Sequence, residues 1–152
     1  MPKMIIQNIC RMVFLFYKFT ICMKHHVVVE VKNSISAILE LDDSSSPQTV
    51  SEFIDKLPFT VNLNVWGDEI YTSESPISQP EENAKSPVNL NDVAFWPTGR
   101  AVCLFYGPTP LSDSGKIVPA SPVNIIGKII SADKKILKSA DGNEATFRLS
   151  ND

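Results

Sequence analysis

From His25 onward the chain runs in short apolar stretches, alternating or nearly so, each closed by turn-forming residues. A period of two puts successive side chains on opposite faces of a strand. His25 to Lys32 (HHVVVEVK) is one such stretch, Asn33 and Ser34 supply a turn, and Ile35, Ala37, Leu39 and Leu41 then share one face of a second, antiparallel strand. The period changes once. After the polar run Asp42 to Pro47, the apolar positions Val50, Phe53, Ile54 and Leu57 fall at helical spacing. Ser46 is positioned to cap the free amides, Pro47 suits the first helical position, and Pro58 ends the helix.

Strand character returns over Phe59 to Asn64, breaks or bulges at Trp66-Gly67-Asp68 and resumes over Glu69 to Thr72. Ser73 to Pro87 reads as a long exposed loop or lid, followed by an extended path through Val88 and Leu90. Asp92 to Trp96 (DVAFW) then leads through the tight turn Pro97-Thr98-Gly99 into Arg100 to Tyr106 (RAVCLFY). Gly107 to Lys116 is a loop, Val123 to Ile130 (VNIIGKII) a nearly continuous apolar strand expected to be buried on both faces or nearly so, and Ala132 to Lys138 a Lys-rich turn or helical piece. Asp141-Gly142 turns the chain into a last strand over Ala145 to Leu149. Seven to nine short antiparallel strands with one or two short helices predict a mainly β fold closed into a barrel, because closure removes the exposed edges that aggregate.

Composition narrows the picture. A chain of 152 residues is one domain's worth, and eleven prolines against six glycines imply many turns joining short elements. The chain divides at Met23: all 17 acidic residues follow it, whereas Lys3, Arg11 and Lys18 precede it, so the part from Met23 to Asp152 carries 14 − 3 = 11 basic residues and a net charge of 11 − 17 = −6. That balance disfavours nucleic acid, whose phosphates repel the same sign. Three cysteines without Cys-x-x-Cys or Cys/His spacing give neither a disulfide framework nor a zinc site, and point to a reducing, cytoplasmic setting with Cys103 as a small buried hydrophobe.

Met1 to Cys22 (MPKMIIQNICRMVFLFYKFTIC) stands apart, apolar and slightly basic. Arg11 and Lys18 leave only Met12 to Tyr17 as an uncharged central run, short of the ~20 residues a spanning helix needs and of a secretory core with its cleavage site. Residues 1–22 are therefore expected to be an upstream-start artefact or dispensable tail, with an interfacial or peptide-binding helix and a degraded export signal as alternatives; a disordered or loosely packed extension is expected before a domain over 23–152.

Four segments carry a resemblance to a known family: Trp66 to Tyr71 (WGDEIY), Asp92 to Pro97 (DVAFWP), Gly99 to Thr109 (GRAVCLFYGPT) and Val123 to Ile129 (VNIIGKI). In order and spacing, from about Lys24 to Leu149, the chain resembles the small prokaryotic cyclophilin-like proteins of unknown function. The resemblance implies a closed eight-stranded antiparallel barrel. True cyclophilins isomerise the bond before proline with an arginine in a Phe-His-Arg segment, a nearby glutamine and an aromatic wall. The strand here that matches, Asn62 to Tyr71, has no arginine, and no Gly-Phe-Met-Gln-Gly-Gly run follows. The resemblance thus implies a domain that binds a small molecule or an extended peptide without efficient isomerase activity; the alternative is a prolyl isomerase with a displaced arginine, for which Arg100 is the candidate catalytic residue.

Six residues are candidate ligand-binding groups: Trp66, Glu69, Tyr71, Trp96, Arg100 and Tyr106. Aromatics with polar tips line pockets and fill cores about equally often, so Trp66 and Trp96, at strand ends beside turns, stand open between the two, while Phe95 and Phe105 read as core. Arg100 either clamps a carboxylate or peptide carbonyl or pairs on the surface with Asp68 or Glu69. Those two acids either bind a cation, act as acid and base, or belong to a solvated bulge. Ser121 and Asn124 are expected to bond only loop backbone. His25 and His26 have no third ligand near them in sequence, Gly107 to Pro110 lacks the lysine-serine end of a phosphate loop, and there is no Gly-x-Ser-x-Gly elbow, so neither a metal site nor a cofactor is expected.

Overall fold

The computed structural model describes residues 24–150 in full and, before them, two strands of two residues, β1 (Val13–Phe14) and β2 (Phe19–Thr20), which pair antiparallel. The expectations for residues 1–22 otherwise lie outside the described residues.

The eight following strands are β3 (Lys24–Val31), β4 (Ser34–Asp42), β5 (Phe59–Trp66), β6 (Glu69–Thr72), β7 (Asp92–Trp96), β8 (Ala101–Phe105), β9 (Asn124–Ala132) and β10 (Glu144–Leu149). They form one closed barrel in the order β10-β3-β4-β9-β7-β8-β6-β5, every neighbouring pair antiparallel, with β5 and β10 sealing the ring through Phe59 opposite Phe147. Val27, Val29, Leu39, Leu63, Ile70, Phe95, Leu104, Ile126 and Phe147 project into its filled interior. The fold expected from the pattern is the fold observed.

Two local expectations need correction. The β3–β4 turn is Lys32-Asn33, at φ 52° and 63°, one residue earlier than expected; asparagine tolerates this left-handed conformation better than most residues. The register then slips, with Glu30 opposite Ile35 but Val29 opposite Ala37, so Ser36 is an extra residue. That slip throws Ile35 out of phase with Ala37, Leu39 and Leu41, and it is 54% exposed. On β9, Ile126 and Ile129 are buried while Lys128 is exposed and Ile130 is 52% exposed, so this strand is covered on one face only over its second half. Gly127 sits where β4 comes close: a Cβ there would fall 2.1 Å from the Glu40 carbonyl oxygen.

Helix α1 (Pro47–Lys56) starts and stops where the prolines dictate, and buries Val50 and Phe53 in the main core. Its cap is not the expected one. Ser46 makes no capping bond; its hydroxyl donates to the Glu82 carbonyl (3.2 Å). The Glu82 carboxylate does the capping, accepting from the backbone N–H of Gln48 and of Thr49 (2.9 Å each) and from the Thr49 hydroxyl (2.7 Å). An anion on free amides at a helix N-terminus is favoured by both hydrogen bonding and the helix dipole. We expect Glu82→Ala to lose about 1–2 kcal/mol in urea unfolding; a loss within error of zero would show that water replaces the carboxylate. A second helix, α2 (Lys134–Lys138), is capped by Asp133 as a local sequence signal would have it, and buries Leu137.

The same carboxylate ties down the loop between β6 and β7, which is strapped rather than a lid. Ile77 within it is fully buried, Glu52 accepts from Ser78 N–H (3.0 Å) and the Gln79 amide (3.0 Å), and Asn124 donates to the Pro80 carbonyl (3.0 Å). No strand forms at 88–90; Val88 makes one bridge to Ile117, and Leu90 is exposed.

Candidate functional site

Register sorts the aromatic residues into two sets. On β8 the side chains of Val102 and Leu104, with Tyr106 beyond, join the barrel interior, while Cys103 and Phe105 belong to a second apolar cluster with Ala94, Val123, Tyr71 and Trp96. Alternation puts this second set on the outer face of the barrel. Cross-strand pairing extends the set: Tyr71 lies opposite Cys103, Glu69 opposite Phe105, and Trp66 opposite Glu69. Trp66 and Glu69 meet because Gly67-Asp68 is a two-residue hairpin turn rather than a bulge within one strand. Gly67 adopts φ +64°, and a Cβ there would lie 2.8 Å from the Pro110 ring, so the turn also carries the approach of the 107–123 loop.

That loop roofs the outer face. Asp68 N–H donates to the Pro108 carbonyl (2.8 Å), and the Ser112 hydroxyl oxygen accepts from Thr109 N–H (2.9 Å) and Val118 N–H (3.1 Å), folding the segment back on itself. Between loop and sheet remains a hollow of about 140 Å³, lined by Trp66, Glu69, Tyr71, Trp96 and Cys103 from the strands and by Pro119, Ala120 and Val123 from the loop. Trp96 is oriented by its ring N–H, which donates to the Ser121 hydroxyl (2.6 Å), and by Gly99, where any Cβ would strike the indole at 2.5 Å. Ser121 therefore bonds a side chain, not loop backbone. Asn124 does both, accepting from Glu82 N–H (2.8 Å) and donating to the Thr49 hydroxyl (3.1 Å).

Glu69 gives the hollow its chemistry. It is only 4% exposed, not part of a solvated bulge, and its Oε1 has no hydrogen-bond partner. Burial pushes its carboxyl up to about 7, and a hydrogen bond from the Cys103 thiol acts in the opposite direction. The thiol in turn is raised well above its ordinary value, first by burial and then by the nearby Glu69 charge, which favours the protonated form.

Of the six sequence candidates, the hollow brings together Trp66, Glu69, Tyr71 and Trp96, and leaves out Arg100 and Tyr106. Arg100 closes the β7–β8 turn at φ 50°; its Nε–H donates to the Ile77 carbonyl (3.1 Å) and its Nη1 to Glu74 Oε1 (3.1 Å). Its salt bridge is thus with Glu74, not with Asp68 or Glu69. Its own carbonyl accepts from Ser75 N–H (2.8 Å) and the Ser75 hydroxyl (2.7 Å), so both ends of the residue bind the strapped loop. Tyr106 points inward, its hydroxyl buried without a partner and raised by burial and by Asp68. Phe95 and Phe105 are both fully buried core residues as expected, Phe95 in the main cluster and Phe105 in the outer one. His26 pairs with Glu40 (3.3 Å), and among the described residues no three His, Cys, Asp or Glu side chains gather into a metal-binding group.

Cys103 reads from sequence as a small buried hydrophobe, which it is, but not as part of a site, and Pro119, Ala120 and Val123 were not singled out as site residues. Cys103 carried a usable signal, since it lies two residues from Phe105 and opposite Tyr71 once β6 and β8 pair. The loop residues carried none.

The family comparison agrees with this architecture. The cyclophilin-like family model matches residues 23–148. The solution structure of the hypothetical protein AF2241 from Archaeoglobus fulgidus is 38% identical, superposes with a TM-score of 0.71, and is matched over 84% of this chain and 95% of its own. Among curated proteins nothing matches. With the barrel closed in this order and the match spanning nearly all of it, the chain belongs to the cyclophilin-like family.

Proposed function

We propose that this chain is a ligand-binding module whose outer-face hollow takes one ring-sized group of a small molecule or of an extended peptide. The observation that carries this reading is the buried Glu69 Oε1, left without a partner in a cavity walled by two tryptophans and a tyrosine. A buried polar atom without a hydrogen bond costs about 1–3 kcal/mol, and sites tolerate that where a ligand supplies the bond. Size limits the guest: about 140 Å³ is close to a cavity that admits one benzene ring, not a whole drug-sized molecule. Phosphate-bearing partners suit it poorly, because no lysine or arginine lines it. A reducing compartment such as the cytoplasm suits the free, buried Cys103, and no helix among the described residues is long and apolar enough to cross a membrane.

The alternative, an isomerase using Arg100, has less support, since that guanidinium is engaged by Glu74 and the Ile77 carbonyl. The binding reading is tested by a thermal-shift screen against small heterocycles, amines and proline-containing peptides, followed by calorimetry on any hit. A ligand is expected to raise the unfolding midpoint, and Trp66→Ala to weaken it at least about tenfold. No stabilisation by any class, or a hit indifferent to Trp66→Ala, rejects the reading.

A further inference from the structure

Resting on that reading, we infer that the group seated in the hollow is an alkylammonium cation, held among the rings of Trp66, Tyr71 and Trp96 with the Glu69 carboxylate as its counter-ion. Three independent features of the site select a cation over other guests of the same size. Electron-rich ring faces attract positive charge, tryptophan most strongly, and two of the three aromatic walls are tryptophan. The one acid in the lining has an oxygen with no donor, and the described ion pairs of this domain occupy Lys24, His26, Arg100 and Arg148 elsewhere, so no side chain of the lining neutralises it. The domain from Met23 carries the net charge of −6 derived above, which draws cations and repels anions.

Competing guests fit less well. A neutral apolar ring fills the space and leaves Oε1 unpartnered. An anion meets a carboxylate with no cation beside it. A bare ammonium or metal ion satisfies the carboxylate but not the apolar walls, which need carbon around the charge. An alkylated ammonium meets every requirement, and one that keeps an N–H donates it to Oε1.

Ionisation of Glu69 accompanies the binding. The empty site holds its carboxyl proton up to about pH 7, and the arriving cation expels that proton to solvent as it takes the carboxylate as partner. The other titratable groups of the lining are the Cys103 thiol from β8 and the Tyr71 phenol from β6 itself; the loop side contributes Pro119, Ala120 and Val123, which carry no charge.

The test uses the full chain and two matched pairs of probes: protonated 2-(dimethylamino)ethanol against its neutral isostere 3-methylbutan-1-ol, and a short peptide bearing dimethyllysine against the same peptide with a neutral branched side chain of equal length. Calorimetry and tryptophan fluorescence at about pH 8 are expected to show at least one cation bound about tenfold more tightly than its isostere. The pair that responds tells a free amine from a peptide side chain. Cation affinity falls about tenfold from about pH 8 to about pH 6, because the proton must be displaced first. Two buffers of different ionisation enthalpy near pH 7 report proton release. Glu69→Gln is expected to remove both the preference for the cation over its isostere and the pH dependence. Equal affinity for cation and isostere overturns the inference and leaves the hollow as a neutral binding site. So does a cation preference that survives in Glu69→Gln. Binding of neither probe also overturns it, with the wider screen deciding the binding module separately.

Discussion

Glu69→Gln is expected to make the fold more stable than the parent by roughly 3 kcal/mol above neutral pH, and to leave the two nearly equal below about pH 4. Glu69 has its folded value raised from 4.5 to about 7 by burial. An acid with a raised folded value is protonated in the native state while the unfolded chain has already released the proton. The unfolded state therefore binds fewer protons across this window, and stability falls as pH rises through it. Below 4.5 both states hold the proton and nothing is lost; above about 7 both are ionised and the full penalty stands. About 2.5 units at ~1.36 kcal/mol each give the magnitude. Glutamine keeps the shape and never ionises. Burial also raises Asp92, on the same outer region of the barrel, and lowered values for Glu40, Asp42 and Glu52 act at lower pH, but these are common to both proteins and cancel in the difference. Urea unfolding of both proteins from about pH 4 to about pH 9 reads it directly. Parallel curves would show that the buried carboxyl is not what the geometry makes it.

The same residue shows what a sequence reveals and what it withholds. Glu69 was legible as a candidate because WGDEIY sits beside a strand-breaking glycine, but its burial was not. Burial comes from residues far along the chain: the 107–123 loop folds over it, held by contacts at Pro108, Ser112 and Ser121 that no periodicity predicts. Strands were legible because a period of two is a local property, and closure followed because eight short strands with few apolar edges have little else to do. Where a bulge inserts one residue, as at Ser36, parity fails and Ile35 is misplaced. Tyr106 is the opposite case. Its place in the barrel interior follows from counting two residues on from Leu104, so the signal was present and outweighed by the polar tip of the side chain. Arg100 carried no such signal, because its direction depends on a left-handed turn conformation and on a loop carboxylate 26 positions earlier. The Glu82 cap is similarly remote: serine before proline is the local rule for a helix start, and a carboxylate 33 residues beyond Thr49 displaces it.

Phe53→Ala is expected to cost about 3–5 kcal/mol, the largest loss from any single truncation considered for this fold. Helix α1 is a short segment whose own propensity cannot hold it, since helices below about 12 residues are marginal in water without packing. It is anchored to the barrel by Val50 and by the larger Phe53, both fully buried, and the Phe53 ring meets Phe59 of β5 edge-on at 5.4 Å and Phe147 of β10 edge-on at 6.1 Å. Phe59 and Phe147 stack on each other at 5.1 Å, across the pair of strands that closes the ring. Removing Phe53 therefore opens a cavity against the seam of the barrel, loses two aromatic contacts, and loosens the helix that Glu82 caps. Neighbouring Ile54 is only partly buried, so Ile54→Ala should lose about half as much or less. Phe53→Leu, which keeps most of the volume without the ring edges, should fall between them. Equilibrium urea unfolding gives all three midpoints, and amide exchange on Gln48 to Lys56 locates the damage. If Phe53→Ala costs no more than Ile54→Ala, the helix is held to the barrel by its loop straps and not by this ring.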